Sequence, residues 1–114
     1  MYIGIETRGK DARNEVRKVL RCQARILFKN APSLSGRTFD ISPSGICIIA
    51  PEHIAPGQSC GLSFSTPIAG KIIEVNTLAK VAYSICIGTT GFRIGFQFVD
   101  PDPAARAAIN QILK

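Results

Sequence analysis

Short runs of alternating apolar and polar residues fill most of the chain, and a single helical period closes it. Over residues 22–29, Ala24, Ile26 and Phe28 fall on one side and Gln23, Arg25 and Lys29 on the other. That period of two is the mark of a half-buried strand. Residues 30–36 are rich in Asn, Pro, Ser and Gly and read as a loop. A second strand is predicted over residues 37–41, where alternation puts Thr38, Asp40 and Ser42 on one face and Phe39 and Ile41 on the other. Ser42-Pro43-Ser44-Gly45 follows as a turn. Residues 46–50 are apolar on both faces, as a central strand requires. Further strands are predicted at about residues 58–65, 71–75, 79–86 and 91–98. The middle two can form one long bent strand, and Thr89-Thr90-Gly91 reads as a hairpin turn.

Asp100-Pro101-Asp102-Pro103 ends the sheet pattern. Asp102 is placed to cap, and Pro103 to open, a helix over residues 104–113. Ala105, Ala108, Ile109, Ile112 and Leu113 recur there at helical spacing, so the helix is expected to cover one end of the sheet. Many short strands with one terminal helix point to an antiparallel barrel. The beginning of the chain differs. Residues 1–10 have no period and read as a loose tail, while Asp11 can cap a short helix reaching Val19. Such a helix would line up Arg13, Arg17 and Arg21 on one face, where like charges repel. The expected organisation is a flexible basic arm over residues 1–21 and a barrel with its helix over residues 22–114.

Charge sharpens this division. The net charge is +6 over 114 residues. Residues 1–37 hold nine Lys/Arg and three acids, which accounts for all of it; the remainder holds five of each. A solvated tail explains a basic arm, and so does an anion site. The neutral remainder argues against a surface built for general nucleic-acid binding. With 46% hydrophobic residues the chain has enough apolar side chains for one globular core. No apolar run approaches the roughly 20 residues of a membrane helix. The first residues lack the pattern of a signal peptide, so the expected location is cytoplasmic. Cys22, Cys47, Cys60 and Cys86 share no metal-ligand spacing and His53 is the lone histidine, so reduced buried thiols are expected and no metal. No nucleophile lies next to a base and no phosphate-binding loop occurs, so an enzyme is not expected.

Two short motifs carry the candidate chemistry. Arg17 and Arg21 form R-x-x-x-R, and Asp40-Ile41-Ser42-Pro43-Ser44-Gly45 forms D-x-S-x-x-G. Arginine forks can grip phosphates and the O6/N7 edge of guanine. Asp40 can accept from the N1–H and N2–H donors on the opposite edge, and Ser42 offers a hydroxyl. Gly45 allows a tight turn. By itself the hexapeptide reads first as turn chemistry, since Asp and Ser often bond their own backbone. The arginines upstream shift that balance. Arg21 and Arg25 form a second R-x-x-x-R register, but Arg25 falls inside a strand and reads as surface. Gly95 interrupts an aromatic strand and implies a close approach, most simply by packing.

These motifs, in this order, resemble the PilZ domain family of bacterial cyclic di-GMP receptors. The resemblance extends through the apolar strand after Gly45 to Phe92-Arg93-Ile94-Gly95-Phe96-Gln97-Phe98-Val99-Asp100, which is similar to the family's last barrel strand, and then to the helix. It implies a mainly β fold: a six-stranded antiparallel barrel with a C-terminal helix. It implies that cyclic di-GMP is the ligand, with no further cofactor, and that Arg17, Arg21, Asp40, Ser42 and Gly45 bind it. Val16 stands where relatives that hold a stacked ligand pair carry an extra arginine, which implies one ligand per chain. The implied function is a receptor or adaptor that changes conformation or partner binding with the nucleotide, acting through an unidentified protein partner. The alternatives are a PilZ-like protein-interaction module, related to pili or motility, that has lost nucleotide binding, and a small barrel for single-stranded nucleic acid.

Overall fold

Strand alternation becomes inside and outside of a closed wall. The computed structural model describes residues 15–114, so the tail over residues 1–10 and the cap at Asp11 lie outside the described residues. The strands are β1 (Lys18–Val19), β2 (Gln23–Leu27), β3 (Leu34–Ile41), β4 (Gly45–Ala50), β5 (Ser59–Ile68), β6 (Lys71–Cys86) and β7 (Phe92–Val99), followed by helix α1 (Pro103–Leu113). Six of them run in the order β3-β2-β5-β6-β7-β4, and β3 pairs with β4 to close the barrel. Every pairing is antiparallel, and β1 joins β3 beside Asp40 and Ile41.

Ala24, Ile26, Ile41, Ile46, Ile48, Leu62, Phe64, Val75, Val81, Ile94 and Phe96 point into one core. Burying such side chains stabilises the fold by roughly 1.5–3 kcal/mol each before entropy is counted. Helix α1 closes one end against β6, with Ile109 and Ile112 in the core. Its start is as predicted: the Asp102 carboxylate accepts from the Ala105 N–H at 2.8 Å, and Pro103 opens the first turn. The strand over residues 71–86 is continuous and bends where its register on β7 shifts between Val81 and Tyr83.

Strict alternation fails in β3. A register shift between Thr38 and Asp40 inserts Phe39 as an extra residue against β4. Thr38 therefore points inward opposite Ile48, and Ile41 inward opposite Ile46, while Asp40 faces outward opposite Cys47. Thr38 and Asp40 do not share a face, contrary to the simple alternation. The strand also starts earlier than the sequence pattern suggests, at Leu34, in a stretch that reads as loop, because Leu34, Ser35 and Gly36 pair with β2. Gly36 fits there because a β-carbon would press on Ile48 and the Ile49 carbonyl.

Candidate functional site

The motif arginines are carried by a segment that leans on β3. Leu20 is buried, and its N–H donates to the Phe39 carbonyl at 3.1 Å. Between β1 and β2 the ladder is interrupted, and the Thr38 hydroxyl fills the gap. It donates to the Leu20 carbonyl at 2.6 Å and accepts from the Cys22 N–H at 2.9 Å. Fixed in this way, Arg17 reaches the turn after β3.

There Arg17 bonds two polar residues of the second motif, Asp40 and Ser42. Its guanidinium donates to the Asp40 carboxylate at 2.8 Å and to the Ser42 hydroxyl at 3.2 Å. The hydrogen bond to Asp40 holds the Arg17 guanidinium above its ordinary pKa, against the opposing effect of partial burial. The pair is still 42% and 22% exposed, so a ligand can reach both partners. Ser42 is fully buried and belongs to the turn as well: its hydroxyl accepts from the Gly45 N–H at 3.2 Å. The backbone closes the same turn, with the Ser42 N–H on the Gly45 carbonyl at 2.8 Å.

Gly45 has a different reason from the one its turn position suggests. Its φ is not in the left-handed region, and a β-carbon there would collide with the Phe96 carbonyl on β7. Absence of a side chain lets β4 start against β7. Gly95 is a packing glycine too: the Tyr83 ring of β6 lies where its side chain would be. The Tyr83 hydroxyl reaches Cys47 Sγ at 3.9 Å, and burial pushes the Tyr83 and Cys47 pKa values up.

Tyr83 and Arg17 line one cleft of about 570 Å³ with Glu15, Ser44, Gly45, Gly95 and Gln97. Ser44 donates to the Glu15 carboxylate at 2.6 Å on its rim. The cleft therefore joins the D-x-S-x-x-G turn to the outer face of β6 and β7. Tyr83 escaped sequence reasoning because only the β6–β7 register brings it over Gly95. Phe39 escaped because of the bulge. Its ring has the Arg21 guanidinium carbon 4.8 Å from its centroid, and that of Arg93 at the same 4.8 Å. Arg21 thus stacks on Phe39, the residue before Asp40, whereas Arg17 is the arginine that bonds Asp40 and Ser42. Arg25 is turned away and bonds Ser33, and His53 meets Ser84 and Phe92. Among the described residues no three His, Cys, Asp or Glu side chains gather as a metal site, and no helix is long and apolar enough to cross a membrane.

Comparison with known proteins follows the same lines. No curated protein sequence matches the chain. Among solved structures, the Bacillus subtilis inhibitor of motility MotI/DgrA superposes with a TM-score of 0.71 at 16% identity, over 87% of this chain and 47% of that one. The chain thus spans about half the length of that protein. The PilZ domain of YcgR from Escherichia coli, solved with c-di-GMP, gives a TM-score of 0.65 at 13% identity, over 87% and 86% of the two chains. The PilZ domain of CeSA from a cellulose-synthesizing bacterium gives 0.61 at 13% identity, over 85% and 93%. These likenesses are to the fold. The family match is to the sequence itself, and the PilZ domain profile covers residues 11–114, both motifs included. The chain belongs to the PilZ domain family.

Proposed function

We propose that the chain is a cyclic di-GMP receptor whose conformation or partner binding changes with the nucleotide. The observation that carries this reading is the meeting of Arg17, Asp40 and Ser42, drawn from two motifs 23 residues apart, with Arg17 also lining the cleft that Ser44 and Gly45 of the second motif share. An acidic guanine reader beside a phosphate-gripping arginine is the donor and acceptor set that a guanine nucleotide requires. The YcgR domain of similar fold was solved with c-di-GMP, which supports the same ligand here. Arg17 and Arg21 bind phosphates and guanine edges, Asp40 reads the N1/N2 edge, and Ser42 and Gly45 hold the turn. The role is binding rather than catalysis, and the setting is the cytoplasm, with a protein partner receiving the signal.

Isothermal titration with cyclic di-GMP, cyclic di-AMP and GMP tests this. Cyclic di-GMP is expected to bind at one molecule per chain and at least tenfold more tightly than the adenine analogue, since a lost bidentate base contact costs about 1–3 kcal/mol. Equal affinity for the two dinucleotides removes base reading from Asp40. No binding of either leaves the protein-interaction module as the function.

A further inference from the structure

The two nitrogens of Arg17 that reach the turn are already engaged, one on Asp40 and one on Ser42. Arg17 can then offer a phosphate only part of its fork, so a ligand with two phosphate charges calls for further cations. Arg21 is one, and the fold supplies another that neither motif contains. On β7, Ile94, Phe96 and Phe98 point into the core, so Arg93, Gly95 and Gln97 face outward. Arg93 thus shares the face on which Gly95 receives the Tyr83 ring. It sits opposite Ile49 on β4 and Ile85 on β6, so neither neighbour in the ladder is an acid.

Phe39 draws Arg93 to the site. The bulge turns this ring outward immediately before Asp40, and the guanidinium carbons of Arg21 and Arg93 each lie 4.8 Å from its centroid. A ring face attracts cations without neutralising them. Among the described residues the Arg17–Asp40 contact is the one ion pair, so Arg21 and Arg93 have no carboxylate partner there. Both are exposed, and their forks remain open to solvent. Cys47 marks how closely the charges gather: Arg93 and Arg17 both act to lower its pKa while Asp40 acts to raise it. Like charges brought together without a counter-charge cost repulsion unless an anion offsets it.

We propose that Arg93 is a third anion-binding arginine of the site, acting with Arg21 beside Phe39 on the phosphates of the bound nucleotide. This rests on the receptor reading given above. A guanidinium suits the task because its planar fork bonds two phosphate oxygens at once, which an ammonium cannot do.

The test is isothermal titration of cyclic di-GMP into the wild-type chain and the Arg93→Ala, Arg93→Lys and Arg25→Ala variants, with the melting temperature of each recorded. Arg25→Ala removes the same charge from a surface position bonded to Ser33. Arg93→Ala is expected to weaken binding about tenfold or more, with Arg25→Ala within about threefold of wild type. Arg93→Lys should recover part of the loss by keeping the charge, and the melting temperatures should stay together because Arg93 is exposed. If the wild-type chain binds and Arg93→Ala binds equally well, the proposal is overturned and the receptor reading stands. Weakening by Arg25→Ala as large as that by Arg93→Ala also overturns it, since net charge alone would then suffice. A wild-type chain that takes up no cyclic di-GMP overturns the receptor reading, and this proposal with it.

Discussion

Thr38 shows how much a single hydroxyl can arrange. It is 2% exposed, and it satisfies a carbonyl and an N–H left over where β1 has ended and β2 has not begun. Thr38→Val keeps the shape and deletes both bonds. Leaving buried backbone groups unpaired costs about 1–3 kcal/mol, so urea unfolding should show a loss of that size. An unchanged midpoint would mean that the hydroxyl does not fill the gap. The thiols allow an equally simple measurement. Cys60 is buried, and its pKa is pushed up to about 11, whereas Cys86 is exposed. At pH 8 roughly one Cys60 thiol in a thousand is ionised, and only the thiolate reacts. Cys86 should react with a disulfide reagent at once, and Cys60 only on unfolding; rapid labelling of Cys60 in the native chain would contradict its burial. At this scale the site was only partly legible. Arg17, Asp40 and Ser42 stand in short motifs whose residue types declare their chemistry. Tyr83, Phe39 and Arg93 are ordinary residues on separate strands, and only register brings them to the site.

Among the elements, those with a clear period were legible and those without were not. Strands β2, β4, β5 and β7 alternate or run apolar, and α1 announces its cap and its apolar stripe. Strand β1 is two residues long and has no period to read. Strand β3 hides its inward face because one inserted residue reverses the pattern halfway along. Pairing of β1 has a consequence for the other end of the chain. Lys18 Nζ donates to the Ile112 carbonyl at 2.9 Å and to the Lys114 carbonyl at 3.1 Å. A cation at a helix C-terminus satisfies orphan carbonyls and complements the dipole, worth about 0.3–1 kcal/mol at an exposed end. Lys18→Met should therefore lower stability by about that amount and speed amide exchange in the last turn of α1, with the remainder of the helix unaffected. Uniform acceleration along α1 would show that Lys18 supports the docking of the helix rather than its end.

Across the whole molecule, the segment at residues 17–20 joins parts that are otherwise far apart. Arg17 holds the turn at Asp40 and Ser42, Lys18 holds the end of α1, and Leu20 is set in the core. Arg17, Lys18 and Val19 are exposed, so the junction rests on few buried contacts. Low local burial is what makes a segment open cheaply while the barrel stays folded. A nucleotide that engages Arg17 and Arg21 adds contacts only in the closed arrangement, so it must favour that arrangement by its differential affinity. Trypsin reads the equilibrium directly, because Arg17, Lys18 and Arg21 are its cleavage sites. With the protease dilute enough that reclosing outpaces cutting, the rate follows the open population. Ligand at about one hundred times its dissociation constant, if it binds only the closed form, lowers that population about a hundredfold. Cyclic di-GMP should then nearly abolish cutting at these three sites, and cyclic di-AMP at the same concentration should protect far less. Lys18→Met loses the middle cleavage site, but at Arg17 and Arg21 it should be cut faster without ligand, because one tie of the junction is gone, and should still be protected by cyclic di-GMP. Cutting at an unchanged rate in saturating cyclic di-GMP would show that this segment does not close over the nucleotide. In the receptor we propose, the change passed to a partner would then have to arise on the barrel wall, where Tyr83 and Gly95 line the far side of the cleft.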